Sequence, residues 1–458
     1  MLAAGTGSRF GGGKLLAPLA GRPMLQHVLD RLAEAGLEDV TVVLGRDAPT
    51  IEGTIAWRAE RRVVNPEPER GLASSLHIGM DALGTDADAV LIALGDQPMV
   101  AVETIRSLIG APFDAARSVV VPAYAGDLGR NPVLVRRAAF GFVAEAAGDR
   151  GLGPVLAAHP ETVQTIPISG DNPDVDTQAD LARAVEAAWA ARVRSNREQV
   201  DRVREVPDGV DFYAPVRSLF RADPTRTDDL VLNALLGLVR SGERWLDVGA
   251  GAGRFALPIA RALDPSGGSV VALDTSPSML EGLREIAEDY AIENVRTAEA
   301  RWPPADPSAF EADVALIAHV GYDIEAIGPF LDALEAVAHR MCAAVLTEHP
   351  PASAADPFWP LVHGEPRSAL PALPDLVELL RARGREPSVV RIAGEVRRFE
   401  SRDALEGFVR RQLWIDPAGS KRERFMAALD ELAIDDGSGW TIRGRLPTDT
   451  GVATWSPR

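Results

Sequence analysis

Two glycine-rich turns, each following an apolar stretch, constrain this chain of 458 residues more than any other feature. The first is Leu2-Ala3-Ala4-Gly5-Thr6-Gly7-Ser8-Arg9-Phe10-Gly11-Gly12-Gly13-Lys14. The second is Trp245-Leu246-Asp247-Val248-Gly249-Ala250-Gly251-Ala252-Gly253. A strand that breaks into glycines and then into a helix belongs to a parallel α/β sheet, where the turn lets the backbone wrap a ligand. At roughly 150 residues per domain the length allows two or three domains, so each turn can head its own sheet.

The pattern between the turns agrees. Residues 1–190 carry strand-like runs at Val40–Leu44, Ala89–Leu94, Ser118–Val121 and Val163–Ile168, with helical stretches such as Met24–Ala35 and Glu103–Leu108 between them. Residues 208–458 carry an amphipathic helix over Thr227–Val239 and strands at Arg244–Val248, Ser269–Leu273, Val314–Ala318, Ala343–Thr347 and Val452–Trp455. Such alternation predicts α/β architecture with two Rossmann-like domains. A helix-prone stretch runs from Gln178 to about Arg204. Its later part is dense in charge and is followed by Pro207, Asp208 and Gly209, so we read 191–207 as a charged linker helix or domain boundary.

Charge excludes some partners. Lys plus Arg is 48 against 66 Asp plus Glu, a net of −18 to which both domains contribute, so neither is a basic footprint for nucleic acid or an anionic membrane. No apolar run is long enough to predict a transmembrane helix, and no secretory signal is expected. The single cysteine, Cys342, rules out a disulfide framework and fits a reducing, cytoplasmic setting. Of the 48 cations, 46 are arginine; the two lysines are Lys14 and Lys421. A lysine just after a glycine loop in so arginine-biased a chain marks a place for a compact ammonium.

Around the first turn, Arg9 and Lys14 suit phosphate oxygens, and the glycines can present several N–H groups to an anion. The spacing is not a P-loop, since Leu15 follows Lys14, nor the GxGxxG of a dinucleotide site. Downstream, Val90–Leu94 ends in Gly95-Asp96-Gln97-Pro98 and sets a carboxylate at the ligand-binding edge of the sheet. Asp174-Val175-Asp176-Thr177 follows another strand run. A triphosphate arrives with Mg²⁺, which takes one or two protein carboxylates, so Asp96 and Asp176 are the metal candidates. The alternatives are a turn residue before Pro98 for Asp96 and a helix N-cap for Asp176.

These residues resemble the molybdenum-cofactor nucleotidyltransferase-like family. The resemblance spans 1–190 through LAAGTGSRFGGGKLL at 2–16, NPEPERGLASSLHIGM at 65–80, LGDQP at 94–98, NPVLV at 131–135 and DVDTQADL at 175–182. It implies a glycosyltransferase-A-type sheet that moves a nucleotide from an NTP to a phosphorylated acceptor. It also implies an NTP site at Leu2, Ala3, Ala4, Gly5, Gly7, Arg9, Lys14, Asn65, Ser74 and Ser75, with Arg9, Lys14 and Asp96 catalytic and Mg²⁺ on Asp96 and Asp176. Relatives that use GTP tend to carry LAGG. Leu2-Ala3-Ala4-Gly5 looks like the cytidylyltransferases, which join CTP to molybdopterin-bound molybdenum and release pyrophosphate. Molybdenum-cofactor enzymes would then be partners. A sugar or polyol phosphate acceptor is one alternative, and a non-catalytic nucleotide-binding module is another. In one respect the chain departs from the family, which has an apolar strand before this loop. Here Met1 stands next to Leu2, so the opening strand would be cut to about two residues; the expectation is a start further upstream.

The GxGxG of the second turn is weak alone. It gains weight because Ser269–Leu273 ends in Asp274, 21 residues beyond Gly253, near the ~20-residue offset of a ribose-binding acid. WLDVGAGAGRFALPIA at 245–260 and VVALDTSPSML at 270–280 resemble class I S-adenosylmethionine-dependent methyltransferases over roughly 210–350. The resemblance implies that Asp247, Gly249, Gly251 and Gly253 border the methionine part of the cofactor, that Asp274 holds the ribose and that Glu299 lies near the adenine. The rest would add late strands and a substrate-shaping insertion. The next strand runs into His319-Val320-Gly321-Tyr322-Asp323, without the Asn/Asp-Pro-Pro-Tyr of amino-group nucleic-acid methylases. Met341 rather than a proline precedes Cys342, so a small-molecule acceptor is expected. His319 is a candidate base near neutral pH or merely a strand-end residue, and Tyr322 fares similarly. His349 and His363 show no metal spacing.

Overall fold

A computed structural model describes residues 1–5, 7, 9–125, 130–206 and 223–457. The Pro207-Asp208-Gly209 break, the domain start at 208, and Thr6 and Ser8 of the first turn lie outside the described residues. Packing divides the chain into Met1–Val185 and Glu186–Arg458. That division falls before the stretch read as a linker, which is helical through Val203 as part of the helix Gln178–Val203. Trp189 and Val193 are buried. Arg192 donates to Asp375 and to the Leu370 carbonyl, and Gln199 to the Pro366 carbonyl. The charge of 191–203 is thus the outer face of a packed helix rather than a free tether.

In the first unit the strands lie in the order Arg61–Val64, Thr41–Leu44, Leu2–Ala3, Ala89–Ile92, Val133–Arg136, Val119–Tyr124 and Val163–Ile168. Only Val133–Arg136 is antiparallel to its neighbours. Leu2–Ala3 is short but central. The Leu2 amide donates to the Ala93 carbonyl at 2.8 Å, the Gly95 amide to the Leu2 carbonyl at 2.9 Å, and the Val43 amide to the Met1 carbonyl at 3.0 Å. Side chains alternate across it: Leu2 and Ala4 pack with Leu76, Ile92 and Val133, and Ala3 with Leu25, Val42 and Leu44 on the other face. Gly45 permits the crowding, because a Cβ there would lie 2.7 Å from the Ala4 carbonyl oxygen.

In the second unit the order is Val295–Glu299, Ser269–Asp274, Arg244–Val248, Ala312–Ala318, Ala338–Thr347, Thr450–Trp455 and Ser388–Ile392. Numbered along the chain this is 3-2-1-4-5-7-6, with only Thr450–Trp455 antiparallel to its neighbours. The first strand sits at the point where the order reverses, which puts the second glycine turn in the ligand crevice. The expected insertion is a cap with its own core. Phe358, Trp359 and Val362 from the segment after the fifth strand meet Leu405, Val409, Phe425, Leu429 and Ile442 from between strands six and seven. Among the described residues no helix is long and apolar enough to cross a membrane.

Candidate active sites

Lys14 owes its position to the turn before it. Gly11, Gly12 and Gly13 hold φ of 93°, 99° and 64°, a region that side chains disfavour. The amides of Phe10, Gly11 and Gly12 all turn back on the Gly7 carbonyl, at 2.9, 3.1 and 3.2 Å. This curl leaves Lys14 9% exposed. Its Nζ lies 2.6 Å from Asp96 Oδ2 and 3.0 Å from Asp176 Oδ1. Arg9, largely exposed, reaches Asp176 Oδ2 at 3.1 Å.

The helix-cap alternative for Asp176 can be compared with the geometry, while Asp96 does stand in a turn before Pro98. The helix cap belongs to Thr177: its Oγ1 accepts from the Asp180 amide at 3.2 Å, and Asp180 Oδ2 accepts from the Thr177 amide at 2.7 Å. That reciprocal box leaves the Asp176 carboxylate for Lys14 and Arg9. The Asp96 carboxylate likewise faces Lys14, while its carbonyl accepts from the Val175 amide at 3.0 Å and stitches the two acidic loops together.

Gln97 and Asp174 are additions that sequence reasoning did not single out. Gln97 is buried and donates to Asp174 Oδ1 at 2.8 Å. The available signal was the alternation of two acids about the buried Val175. Burial, then the charges of Asp96 and Asp176, push the Asp174 carboxyl above its usual range. Burial opposes the charge on Lys14, but Asp96 and Asp176 together outweigh it and hold its pKa above the ordinary lysine value.

This donor set suits a divalent ion. Asp96 Oδ2 and Asp176 Oδ1 converge on one atom, and Asp174 adds further negative charge. Among the described residues no group of three or more His, Cys, Asp or Glu could hold a metal ion, so phosphate oxygens would have to complete the shell.

Asn65, Ser74 and Ser75 engage one another. Asn65 is 1% exposed, and its Nδ2 donates to Ser74 Oγ at 2.8 Å and Ser75 Oγ at 2.9 Å. They brace the first turn of helix Leu72–Asp81. Nearby is a cavity of about 220 Å³ lined by Leu2, Leu72, Leu76, Ile92, Leu94 and Leu156, with Arg130, Asn131 and Arg150 as polar groups.

In the second unit the acids stand on neighbouring strands. Asp274 is clamped, with Oδ2 accepting from the Gly251 amide and Oδ1 from the Ser276 amide, both at 2.8 Å. Glu299 lies opposite it in register and is exposed. Asp247 is 2% exposed, and its Oδ1 has no partner among the described residues. Burial, then the charge of Asp274, push the Asp247 carboxyl up to about 7. A buried carboxyl with one oxygen unpartnered, beside a clamped one, fits a ligand that is cationic at one end and carries ribose hydroxyls at the other.

At the end of the fourth strand His319 is exposed, holds φ of 57°, and has Nδ1 3.5 Å from the Tyr322 hydroxyl. Tyr322 is buried. Its hydroxyl accepts from the Thr347 amide at 2.8 Å and bonds Thr347 Oγ1 at 3.0 Å, which locks two strand ends together. Of the other histidines, His363 bonds Lys421, which also donates to the Val203 carbonyl and so caps the long helix.

Residues 1–163 match the family model of the MobA-like NTP transferase domain, and residues 239–342 match that of a methyltransferase domain. Nicotine blue oxidoreductase from Paenarthrobacter nicotinovorans is 30% identical over 191 residues, covering 40% of this chain and 93% of that protein. The chain belongs to the MobA-like NTP transferase family and carries a methyltransferase domain.

The MobA-like unit is also similar to bifunctional protein GlmU of Symbiobacterium thermophilum, 36% identical over 140 residues. That match covers 28% of this chain and 29% of GlmU, so the chain spans under a third of that relative's length. Among solved structures, Rv0371c from Mycobacterium tuberculosis H37Rv is similar at 32% identity, covering 40% of this chain and 93% of that one with a TM-score of 0.37.

In the methyltransferase domain, Gly249 can be tested directly. Its φ is 75°, and a Cβ would lie 2.3 Å from Val320 Cγ2. Gly249→Ala should destabilise this unit by about 1–3 kcal/mol through strain alone and weaken S-adenosylmethionine binding. Calorimetric titration and denaturant unfolding would check it; wild-type behaviour in both would show that the two strand ends are not packed this way.

Proposed function

We propose that the MobA-like unit transfers a nucleotide from an NTP, CTP by preference, to a phosphorylated acceptor of the molybdopterin type. The methyltransferase unit passes the methyl group of S-adenosylmethionine to a small molecule. The setting is cytoplasmic, with molybdenum-cofactor enzymes downstream. The observation that carries the first half is the buried Lys14 ammonium between Asp96 and Asp176.

An acceptor phosphate oxygen would attack the α-phosphorus in line, and the bond to pyrophosphate would break. No protein nucleophile is required, so positioning and charge neutralisation do the work. Lys14 and Arg9 would hold phosphate oxygens, and the glycine curl keeps Lys14 in place. A divalent ion held by Asp96 and Asp176 would neutralise charge that develops on the phosphates. Gln97 and the Val175 amide fix the acidic loops. In the second unit, Asp274 would orient the ribose, and Asp247 would face the cationic end of S-adenosylmethionine, which supplies an electrophilic methyl group.

The cavity beside Leu72, with Arg130, Asn131 and Arg150 among its leucines, offers room for the acceptor. Pyrophosphate release should be about tenfold or more faster with CTP than with GTP or ATP, given Mg²⁺ and molybdopterin-bound molybdenum. Asp96→Asn should fall to background. A GTP preference overturns the base assignment, and no release from any NTP favours a nucleotide-binding module. The name of nicotine blue oxidoreductase supports a second reading, an oxidoreductase whose substrate sits among those leucines. Oxidation of a nicotinamide donor without pyrophosphate release would favour it.

A further inference from the structure

The methyltransferase unit has a second cavity, of different character. It measures about 80 Å³ and is lined by Asn196, His349, Ser353, Asp356, Arg367 and Ser368 among others. We propose that it is the methyl-acceptor subsite and that it binds a small carboxylate; this rests on the methyltransferase reading of the same unit.

Its place in the fold is right for an acceptor. The fifth strand ends at Thr347, and His349 and Pro350 lead directly into the cavity wall. Ligands of open α/β sheets bind outside the carboxyl ends of the strands. The Tyr322 hydroxyl bonds Thr347, whose Oγ1 donates to the His349 carbonyl, so the wall is tied to the loop that carries His319.

Its chemistry centres on Arg367. The side chain is only 7% exposed. Its Nη1 donates to the Ala352 carbonyl at 2.6 Å and lies 3.4 Å from Asp356 Oδ1. Among the described residues Nε and Nη2 have no hydrogen-bond partner. Neither is sealed from solvent. The guanidinium is stacked over the Trp359 ring at 4.5 Å, which fixes its plane. A buried, oriented guanidinium with unused fork donors matches the two oxygens of a carboxylate. Asp356 offers Arg367 a single long contact through Oδ1 and leaves the Nε–Nη2 edge open.

Size narrows the class. At roughly 30 Å³ per water, the cavity has room for a few waters, which suits an acid of two or three carbons or the carboxylate end of a larger acceptor. In the transfer the methyl C–S bond breaks and a bond to an acceptor oxygen or nitrogen forms. The thioether leaves with the electron pair, and any proton on the acceptor atom passes to solvent.

The test is calorimetric titration of the full chain with glycolate and with the neutral isostere glycolamide, alongside S-adenosylmethionine. Glycolate should bind about tenfold or more tightly than glycolamide. Arg367→Gln should remove that preference and leave S-adenosylmethionine affinity unchanged, which also reports that the unit is folded. His349→Ala, at an exposed position, should weaken glycolate severalfold and serves if Arg367→Gln does not fold. Equal affinity for the two probes overturns the proposal. So does glycolate affinity unchanged by Arg367→Gln in protein that still binds S-adenosylmethionine, or, where Arg367→Gln does not fold, unchanged by His349→Ala. A wild-type chain that binds no S-adenosylmethionine overturns the methyltransferase reading instead.

Discussion

Replacing Lys14 by glutamine should lower pyrophosphate release roughly 10²–10³-fold, the usual loss when one fixed donor to developing charge is removed. Lys14→Arg should not rescue it. The site admits one nitrogen with carboxylate oxygens at 2.6 and 3.0 Å, and a planar fork in place of a point charge would displace one of the two acidic loops. Stability should fall as well. Glutamine leaves Asp96, Asp174 and Asp176 facing one another without a buried counter-charge. Because Asp96 and Asp176 are partly solvated, we expect about 1–3 kcal/mol rather than the full 3–5 kcal/mol of a wholly buried pair. Mg²⁺ should restore part of this, so the thermal midpoint of the variant should respond to Mg²⁺ more than that of the wild type. A Lys14→Gln protein that turns over at the wild-type rate would remove Lys14 from the chemistry.

The second large effect concerns Asp247 and pH. An acid raised from 3.8 to about 7 binds its proton more tightly folded than unfolded. Its contribution to stability is therefore full below about pH 4, is lost as pH rises toward 7, and stays lost above that. The shift corresponds to roughly 4 kcal/mol as an upper figure. Other carboxylates titrate too, so the measurement is a difference. Wild type and Asp247→Asn should unfold alike near pH 4, and the variant should be more stable by up to that amount at pH 8. S-adenosylmethionine should reverse the ranking in the wild type, because a cation favours the ionised acid. Its affinity should then rise with pH through 7, and in Asp247→Asn it should not. A constant difference between the two proteins from pH 4 to 8 would mean that Asp247 is not buried as described.

The strands that sequence patterning missed share a cause. Arg61–Val64, Val295–Glu299 and Ser388–Ile392 are edge strands, and most of their exposed positions carry arginine, glutamate or serine. Beside the exposed Val64 and Val390, charged or polar residues interrupt these edges against stray pairing, so their apolar signal is thin. Val133–Arg136 was visible as a motif but too short to read as a strand. Central stretches such as 314–318 and 343–346 are largely buried and stood out as unbroken apolar runs. The glycine turns and the acids at strand ends were legible because their chemistry is local. Gln97 with Asp174, the Thr177–Asp180 cap and the Arg367 cavity were not, since each depends on which distant loops meet. That the helix before residue 204 docks was illegible for a related reason: surface charge on one helix face looks the same in a tether and in a docked helix.

The arginine bias has a practical use. Lys14 lies in the first unit after the first glycine turn, and Lys421 lies in the second, capping the long helix and touching His363. They are the two lysine side chains among 458 residues. Reductive methylation with ¹³C-formaldehyde would therefore plant one side-chain NMR reporter in each unit without mutagenesis, the α-amino group being the further amine that reacts. The Lys14 signal would follow nucleotide and metal, and the Lys421 signal the docking of the helix, in a single spectrum.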